Sequence, residues 1–307
     1  MGHLPARSHR KPSMRFLIRI LFAFLASCTL PSGREGRPIR IATWNLEHLA
    51  VENGAGCRVR TDADYEALRR HAGALAADVI AFQEVENAAA AARVFPAEQW
   101  QVVMSSRPDT ERSGFCRGTS GPRILKQDVG FAVRRGIRFS RNPDVNELGL
   151  GNPDLRWGVD ITLQLPKPLR LLAVHLKSGC NINRDAADRD CTTLFDQAPV
   201  LERWIDARAR AGEDFAVLGD WNRRTAHAGD QFLGIVSDDD PPAGRLVFAD
   251  QGRSATCEPR YPDFIDHIAV GKATARRVRP NSFVEYTYGT DPHPSDHCPS
   301  SVALSVR

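Results

Sequence analysis

The sequence predicts an α/β (α+β) fold, a four-layered sandwich of two packed, mixed β-sheets flanked by helices. Three observations lead there. Ten short runs rich in Val, Ile, Leu and Phe recur between turn residues, the pattern of buried strands. Few segments carry helical periodicity and the strand spacing is irregular, so the regular alternation and Gly-rich first turn of a doubly wound nucleotide-binding sheet are missing. No repeat of fixed period is present, which excludes a solenoid.

In chain order the strand runs are IRIATWN (39–45), DVIAFQEV (78–85), WQVVMS (100–105), DVGFAVRR (128–135), WGVDITLQL (157–165), LRLLAVHLK (169–177), DFAVLGDWN (214–222), RLVFAD (245–250), DFIDHIAVG (263–271) and CPSSVALSV (298–306). Several are almost continuously apolar, as strands covered on both faces are, while GVDITLQL alternates. Two helices are well signalled. Tyr65, Leu68, Ala72 and Leu75 form one apolar stripe after Thr61, with Asp64 placed as in a capping box. Leu194, Leu201, Trp204 and Ile205 form another, which Pro199 is expected to start or kink.

Residues 1–27 read as a signal peptide. Arg15 and Arg19 precede an apolar run from Ile20 to Leu25 that is too short to span a bilayer, and small residues follow. LASC (25–28) is similar to a lipoprotein acylation motif, so Cys28 is expected to carry lipid and tether the chain to a membrane; plain secretion is the alternative. Met14 offers a second start. Residues 28–37 form a linker, and 38–307 form the folded domain. Losing the five cations of residues 1–27 takes the formal charge from +4 to −1, so affinity for polyanions cannot be read from net charge and any phosphate-binding field must be local.

Six of the seven cysteines follow Cys28, an even set without a CxxC pair, which in an exported chain reads as disulfides rather than zinc ligands. Cys180 with Cys191 is the favoured local bridge, closing the polar loop NINRDAADRD; Cys57 with Cys116 and Cys257 with Cys298 complete the set.

Five of these segments end in, or begin just after, polar groups of one chemical kind. Asn45 and Glu47 close the first run, Gln83 and Glu84 the second, His175 and Lys177 the sixth, Asp220 and Asn222 the seventh; Asp296 and His297 precede the last. Asp266 lies inside an otherwise apolar strand, where an unpaired carboxylate costs several kcal/mol, and His297 is its natural partner. Taken singly, each has a plain structural reading as a cap, a turn or a core histidine. Separate strand ends do not converge on Asn, Glu, Asp and His through turn chemistry alone.

In this order and spacing, TWNLEHL, AFQEV, HLKSG, LGDWN, FIDHI and SDHCP resemble the endonuclease/exonuclease/phosphatase superfamily, with its DNase I-like fold, over about residues 38–307. The resemblance implies a metal-dependent phosphodiester hydrolase. It assigns Glu84 to the principal metal site with Asn45 and Asp296 close by, and hard oxygen ligands suit Mg²⁺, or Mn²⁺ or Ca²⁺. It makes His297, oriented by Asp266, the general base or water-orienting group. Asp220 and Asn222 match positions near the attacking water and phosphate oxygens, and His175 matches a histidine that protonates the leaving group or contacts the phosphate. Arg156 and Lys177 are weaker phosphate-contact candidates. By strand alternation His267 should face away from Asp266 and is excluded; His48, His71, His227 and His293 are set aside because nothing in the sequence pairs them. QEVEN lacks the lysine that resembles abasic-site endonucleases, which disfavours DNA repair.

The expected substrate is DNA or RNA, met outside the cell, with Arg223 and Arg224 offered to flanking phosphates at the rim. A phospholipid or inositol-phosphate phosphodiesterase or phosphatase of the same fold is the alternative, and it would want an exposed apolar loop. A catalytically silent binding protein is a third reading, opposed by the filling of every expected position. No protein partner is implied, and a monomer is expected.

Overall fold

The computed structural model describes residues 1–3, 36–109, 114–289 and 292–307. All but residues 1–3 of the expected signal peptide, and the expected acylation site Cys28, lie outside the described residues, as does most of the linker. The chain divides into Met1–Glu35 and Gly36–Arg307, and the architecture below is that of the second unit.

All ten expected strand runs are strands. They are β1 (Ile39–Leu49), β2 (Val79–Val85), β3 (Trp100–Met104), β4 (Asp128–Arg134), β6 (Val159–Leu163), β7 (Leu169–His175), β8 (Phe215–Asp220), β9 (Leu246–Phe248), β10 (Asp266–Gly271) and β12 (Ser300–Leu304). Two short edge strands, β5 (Phe139–Arg141) and β11 (Val284–Glu285), join them. Three and two residues long, they carry too little apolar pattern to stand out in the sequence.

The strands form two six-stranded sheets, ordered β11-β12-β1-β2-β4-β3 and β5-β6-β7-β8-β10-β9. Both are mixed: β1 runs parallel to β2 and β7 parallel to β8, while the remaining pairs are antiparallel. Between the sheets lies one core, in which Ile41, Val79, Phe131 and Val302 meet Ile161, Leu171, Leu218 and Ile268. On its outer face the first sheet buries Trp44, Phe82 and Trp100 beneath α1 (Asp62–Ala74) and α2 (Ala88–Val94). The second buries Leu172, Phe215 and Val217 beneath α3 (Arg189–Arg210) and α4 (Leu233–Val236). Helix, sheet, sheet and helix are the four layers expected.

Helix α1 starts as its sequence dictates: the Asp64 carboxylate accepts the Thr61 backbone N–H at 2.7 Å, and Tyr65, Leu68 and Ala72 are buried. Pro199 lies inside helix α3 rather than at its start, because the helix begins ten residues earlier, where Asp188 accepts the N–H groups of Asp190 and Cys191 at 2.7 and 2.9 Å. The bridge Cys180–Cys191 pins that first turn to the loop after β7, and Cys57–Cys116 and Cys257–Cys298 are the other two disulfides. No helix among the described residues is long and apolar enough to cross a membrane.

Candidate active site

Both parallel pairs deliver their carboxyl ends to one rim of the sandwich. At the end of β1 the register with β2 slips between Asn45 and Leu49, and between β2 and β4 it slips between Phe82 and Val85. These bulges place Glu47, His48 and Glu84 at positive φ (44°, 51° and 61°), a conformation that non-glycine residues adopt rarely and at a cost. The bulges turn the Glu84 carboxylate toward the end of β1, where it accepts the His48 backbone N–H at 3.0 Å. His48 Nε2 lies 3.7 Å from the same carboxylate.

In the second sheet, Asp220 is the register partner of His175 on one side and of Asp266 on the other. Gly219 makes this possible: a Cβ there would lie 2.0 Å from the Val174 carbonyl oxygen, so only glycine lets β8 run this close to β7. Asn45 reaches across from the first sheet and donates from Nδ2 to Asp220 Oδ2 at 3.1 Å. His175 Nε2 stands 3.5 Å from Asp220 and 3.9 Å from Glu84, between the two sheets' acids.

His297 arrives on the loop before β12. Its Nδ1 donates to Asp266 Oδ2 at 2.6 Å, which leaves Nε2 facing Asp220 Oδ2 at 4.0 Å and Asp296 Oδ1 at 3.9 Å. The loop is held from beneath. Ser295 Oγ donates to the Asn45 carbonyl at 2.8 Å, Tyr288 Oη donates to the His297 carbonyl, and Trp44 Nε1 donates to Tyr288 Oη at 2.7 Å. Buried Arg60 clamps the two backbones together, donating to the carbonyls of Leu46 at 2.9 Å and Pro294 at 3.0 Å.

The electrostatics follow from packing acids in a low-dielectric rim. Burial first, and then the charge of Asp266, push Asp220 up to about 7, against the pull of His297 and the Asn222 N–H. Burial alone would lower His297, but Asp266, Asp220 and Asp296 outweigh it and raise it well above the ordinary imidazole range. Burial would raise Glu84, yet His48, Arg156 and His297 hold it below the usual carboxylate range, so it stays ionised. The rim therefore carries an ionised Glu84 beside Asp220 and His297, whose upward shifts both owe part of their size to the charge of Asp266.

All eight side chains singled out in the sequence, Asn45, Glu84, His175, Asp220, Asn222, Asp266, Asp296 and His297, belong to this one connected network. Asn222 enters differently from the strand extension its spacing suggests. Its φ of 51° ends the strand, its N–H donates to Asp220 Oδ1 at 2.8 Å, and its side-chain amide donates to the Leu176 carbonyl at 3.1 Å. Asp296 is the most open member, its side chain 64 % exposed, while its N–H donates to Glu47 Oε2 at 3.0 Å.

Three secondary readings need correction. Arg223 does not reach the rim: it is buried in an ion pair with Asp230 at 2.6 Å and donates to the Cys180 carbonyl. Lys177 is turned to Asp190 at 2.8 Å, at the start of α3. His48, set aside in the sequence, sits against Glu84. A bulge rather than a motif brings it there, so nothing short of the backbone conformation could have found it. His267 does face the opposite side of β10, where it is bonded to Asp250 and to the Arg223 carbonyl.

The donor set fits a divalent cation. Ligand atoms of Asp220, Asp266 and His297 lie within 4.8 Å of one another, Asp266 Oδ1 is buried without a hydrogen-bond partner, and Asn45 and Glu84 add hard oxygens. A cation would also offset the crowding that drives Asp220 upward. Among the described residues, Asp220, Asp266 and His297 are the closely spaced carboxylate and imidazole groups, and Asn45 and Glu84 stand beside them through Asp220 and His175.

The fold is that of a DNase I-like sandwich, and comparison specifies the family. The profile of the Endonuclease/Exonuclease/phosphatase family matches residues 42–297, and the chain belongs to that family, whose members are phosphoesterase hydrolases, some of them metal-dependent. Among solved structures, the human Nocturnin catalytic domain with bound sulfate superposes with a TM-score of 0.58 at 14 % identity, covering 87 % of this chain and 93 % of that one. Truncated TDP2 of Caenorhabditis elegans gives 0.58 at 13 % identity over 88 % and 98 % of the two chains. The Neisseria 3' phosphatase NExo bound to a product DNA hairpin gives 0.55 at 17 % identity over 87 % and 99 %. Among curated protein sequences, none matches significantly.

Proposed function

We propose that this chain is an exported, divalent-metal-dependent phosphodiester hydrolase acting on nucleic acid. The observation that carries the proposal is the Asp266–His297 pair, 2.6 Å apart, aiming the free imidazole nitrogen into a rim shared with Asp220, His175 and Glu84. Phosphodiester hydrolysis needs an activated water on one side of the phosphorus and a proton for the departing oxygen on the other.

In this reading Asp266 fixes the His297 tautomer, so Nε2 takes a proton from the attacking water as the new P–O bond forms. Asn45 orients Asp220 through its amide, and Asp220 positions the water. As the old P–O bond breaks, His175 hands a proton to the leaving oxygen. Glu84, with Asn45, would hold the divalent ion, which when bound polarises the phosphate and offsets its charge. Mg²⁺ is the expected ion, with Mn²⁺ or Ca²⁺ as substitutes.

Two structural relatives support a nucleic-acid substrate at the level of fold, one bound to a product DNA hairpin and one a TDP2 complexed with single-strand DNA product. A third is a mannosyl-6-phosphatase, so the fold alone does not select the ester. Three disulfides in one domain support life in an oxidising compartment, in line with a signal peptide and a lipid anchor at Cys28.

The test is a panel of DNA, RNA, sphingomyelin and bis(p-nitrophenyl) phosphate, with Mg²⁺ or EDTA. Nucleic-acid cleavage that EDTA and His297→Ala both abolish is the expected result. Headgroup release without nucleic-acid cleavage would replace this reading with the phospholipid one.

A further inference from the structure

Beside the Asp266–His297 pair lies a cavity of about 520 Å³ whose far wall is the loop that follows β9. Tyr261 stands on that loop with its side chain exposed (54 %), an unusual place for a large aromatic ring with no packing duty. Two guanidinium groups attend it, Arg224 at 5.6 Å and Arg260 at 5.8 Å from the ring centroid. They are not equivalent. Arg260 is paired to Glu258 at 2.9 Å, whereas Arg224 has no carboxylate partner among the described residues, and its buried Nε has no hydrogen-bond partner. Half-buried Arg224 lines the cavity together with Asp263, Asp266, Asp296 and His297 yet forms an ion pair with none of the described carboxylates, so its guanidinium can take an anion from outside.

The wall is also anchored to the catalytic loop. Cys257, four residues before Tyr261, is bonded to Cys298, the residue after His297. The loop that carries the ring is therefore tied to the segment that carries the imidazole.

We propose that Tyr261 and Arg224 form a nucleotide subsite, in which the ring stacks on an unpaired base next to the scissile phosphate and the guanidinium takes an adjacent phosphate. A lone exposed ring flanked by cations suits a base whose face is free; in a duplex, both faces of each internal base are covered by neighbours. The subsite thus selects single strands or frayed ends over intact duplex. This inference rests on the nucleic-acid reading above.

The test compares kcat/KM for a single-stranded oligonucleotide with that for bis(p-nitrophenyl) phosphate, which has no base to stack. Tyr261→Ala is expected to lower the ratio of the two roughly tenfold, mainly through the oligonucleotide KM, in the range of one base stacked on one aromatic ring. Tyr261→Trp should restore it. Arg224→Gln should lower the same ratio and flatten its salt dependence. An unchanged ratio in Tyr261→Ala, or an equal loss on both substrates, overturns the subsite while leaving the nuclease reading intact. A wild-type protein that hydrolyses the small diester and no oligonucleotide overturns both.

Discussion

His297 Nδ1 and Asp266 Oδ2 lie 2.6 Å apart, and Asp266 is in turn the cross-strand partner of Asp220, so an imidazole and two carboxyl groups share one small volume. Asp266 is the largest influence raising His297. If His297 acts as the base, activity rises with pH as the imidazole loses its proton, above the ordinary imidazole range. Asp266→Asn removes the raising charge, so the rising limb should move to lower pH while the plateau falls about 10²-fold or more. A pH profile of kcat/KM checks it; a lower plateau with an unmoved limb would remove Asp266 from this role.

The same cluster makes a statement about stability. Asp220 is raised to about 7 in the fold, so between the unfolded carboxylate range and pH 7 the native state holds a proton that the unfolded chain has lost. His297, also raised, acts in the same direction. Stability of the metal-free protein should therefore fall as pH rises from about 4 through 7. Asp220→Asn, which cannot ionise, should melt higher than wild type at pH 8 in EDTA and show less gain at pH 5, while losing activity. Melting curves at the two pH values decide it, and added Mg²⁺ should narrow the difference.

Against its burial, His48 and Arg156 hold Glu84 below the usual carboxylate range. Glu84→Ala should act mostly through metal use, raising the concentration of Mg²⁺ needed for half-maximal activity, with excess Mn²⁺ restoring part of the rate. Metal titrations of activity and of binding heat check this, and an unaltered metal requirement would contradict a ligand role.

Gly219 is a purely steric prediction. A methyl group 2.0 Å from the Val174 carbonyl forces β7 and β8 apart, and with them His175 and Asp220. Gly219→Ala should cost more than about 2 kcal/mol of stability and lower activity together, where a substitution at an open glycine such as Gly73 should not. Equal melting temperatures would refute the close approach.

The bridge Cys257–Cys298 closes a span of 41 residues next to His297. Replacing both cysteines by serine should lower stability by about 2–4 kcal/mol and reduce activity on oligonucleotides more than on a small diester. Melting temperature and the rates on the two substrates check it, and an unchanged rate ratio would contradict the bridge's part in placing the loop.

By itself the sequence determined the ten long strands, an even set of cysteines fit for bridges and the eight polar positions of the rim, because buried strands are written as apolar runs and a carboxylate within such a run demands a partner. Only the tertiary structure decided that His48 stands against Glu84, that Arg60 clamps β1 to the His297 loop, that Arg223 turns inward to Asp230, and that Tyr261 faces the cavity. Those placements depend on the bulges in β1 and β2, on the left-handed turn at Asn222, and on loops joined through disulfides. A bulge reverses which face a side chain takes, and two adjacent arginines part company at one turn. Such choices follow from backbone torsions set by neighbours distant in the chain, which local pattern does not record.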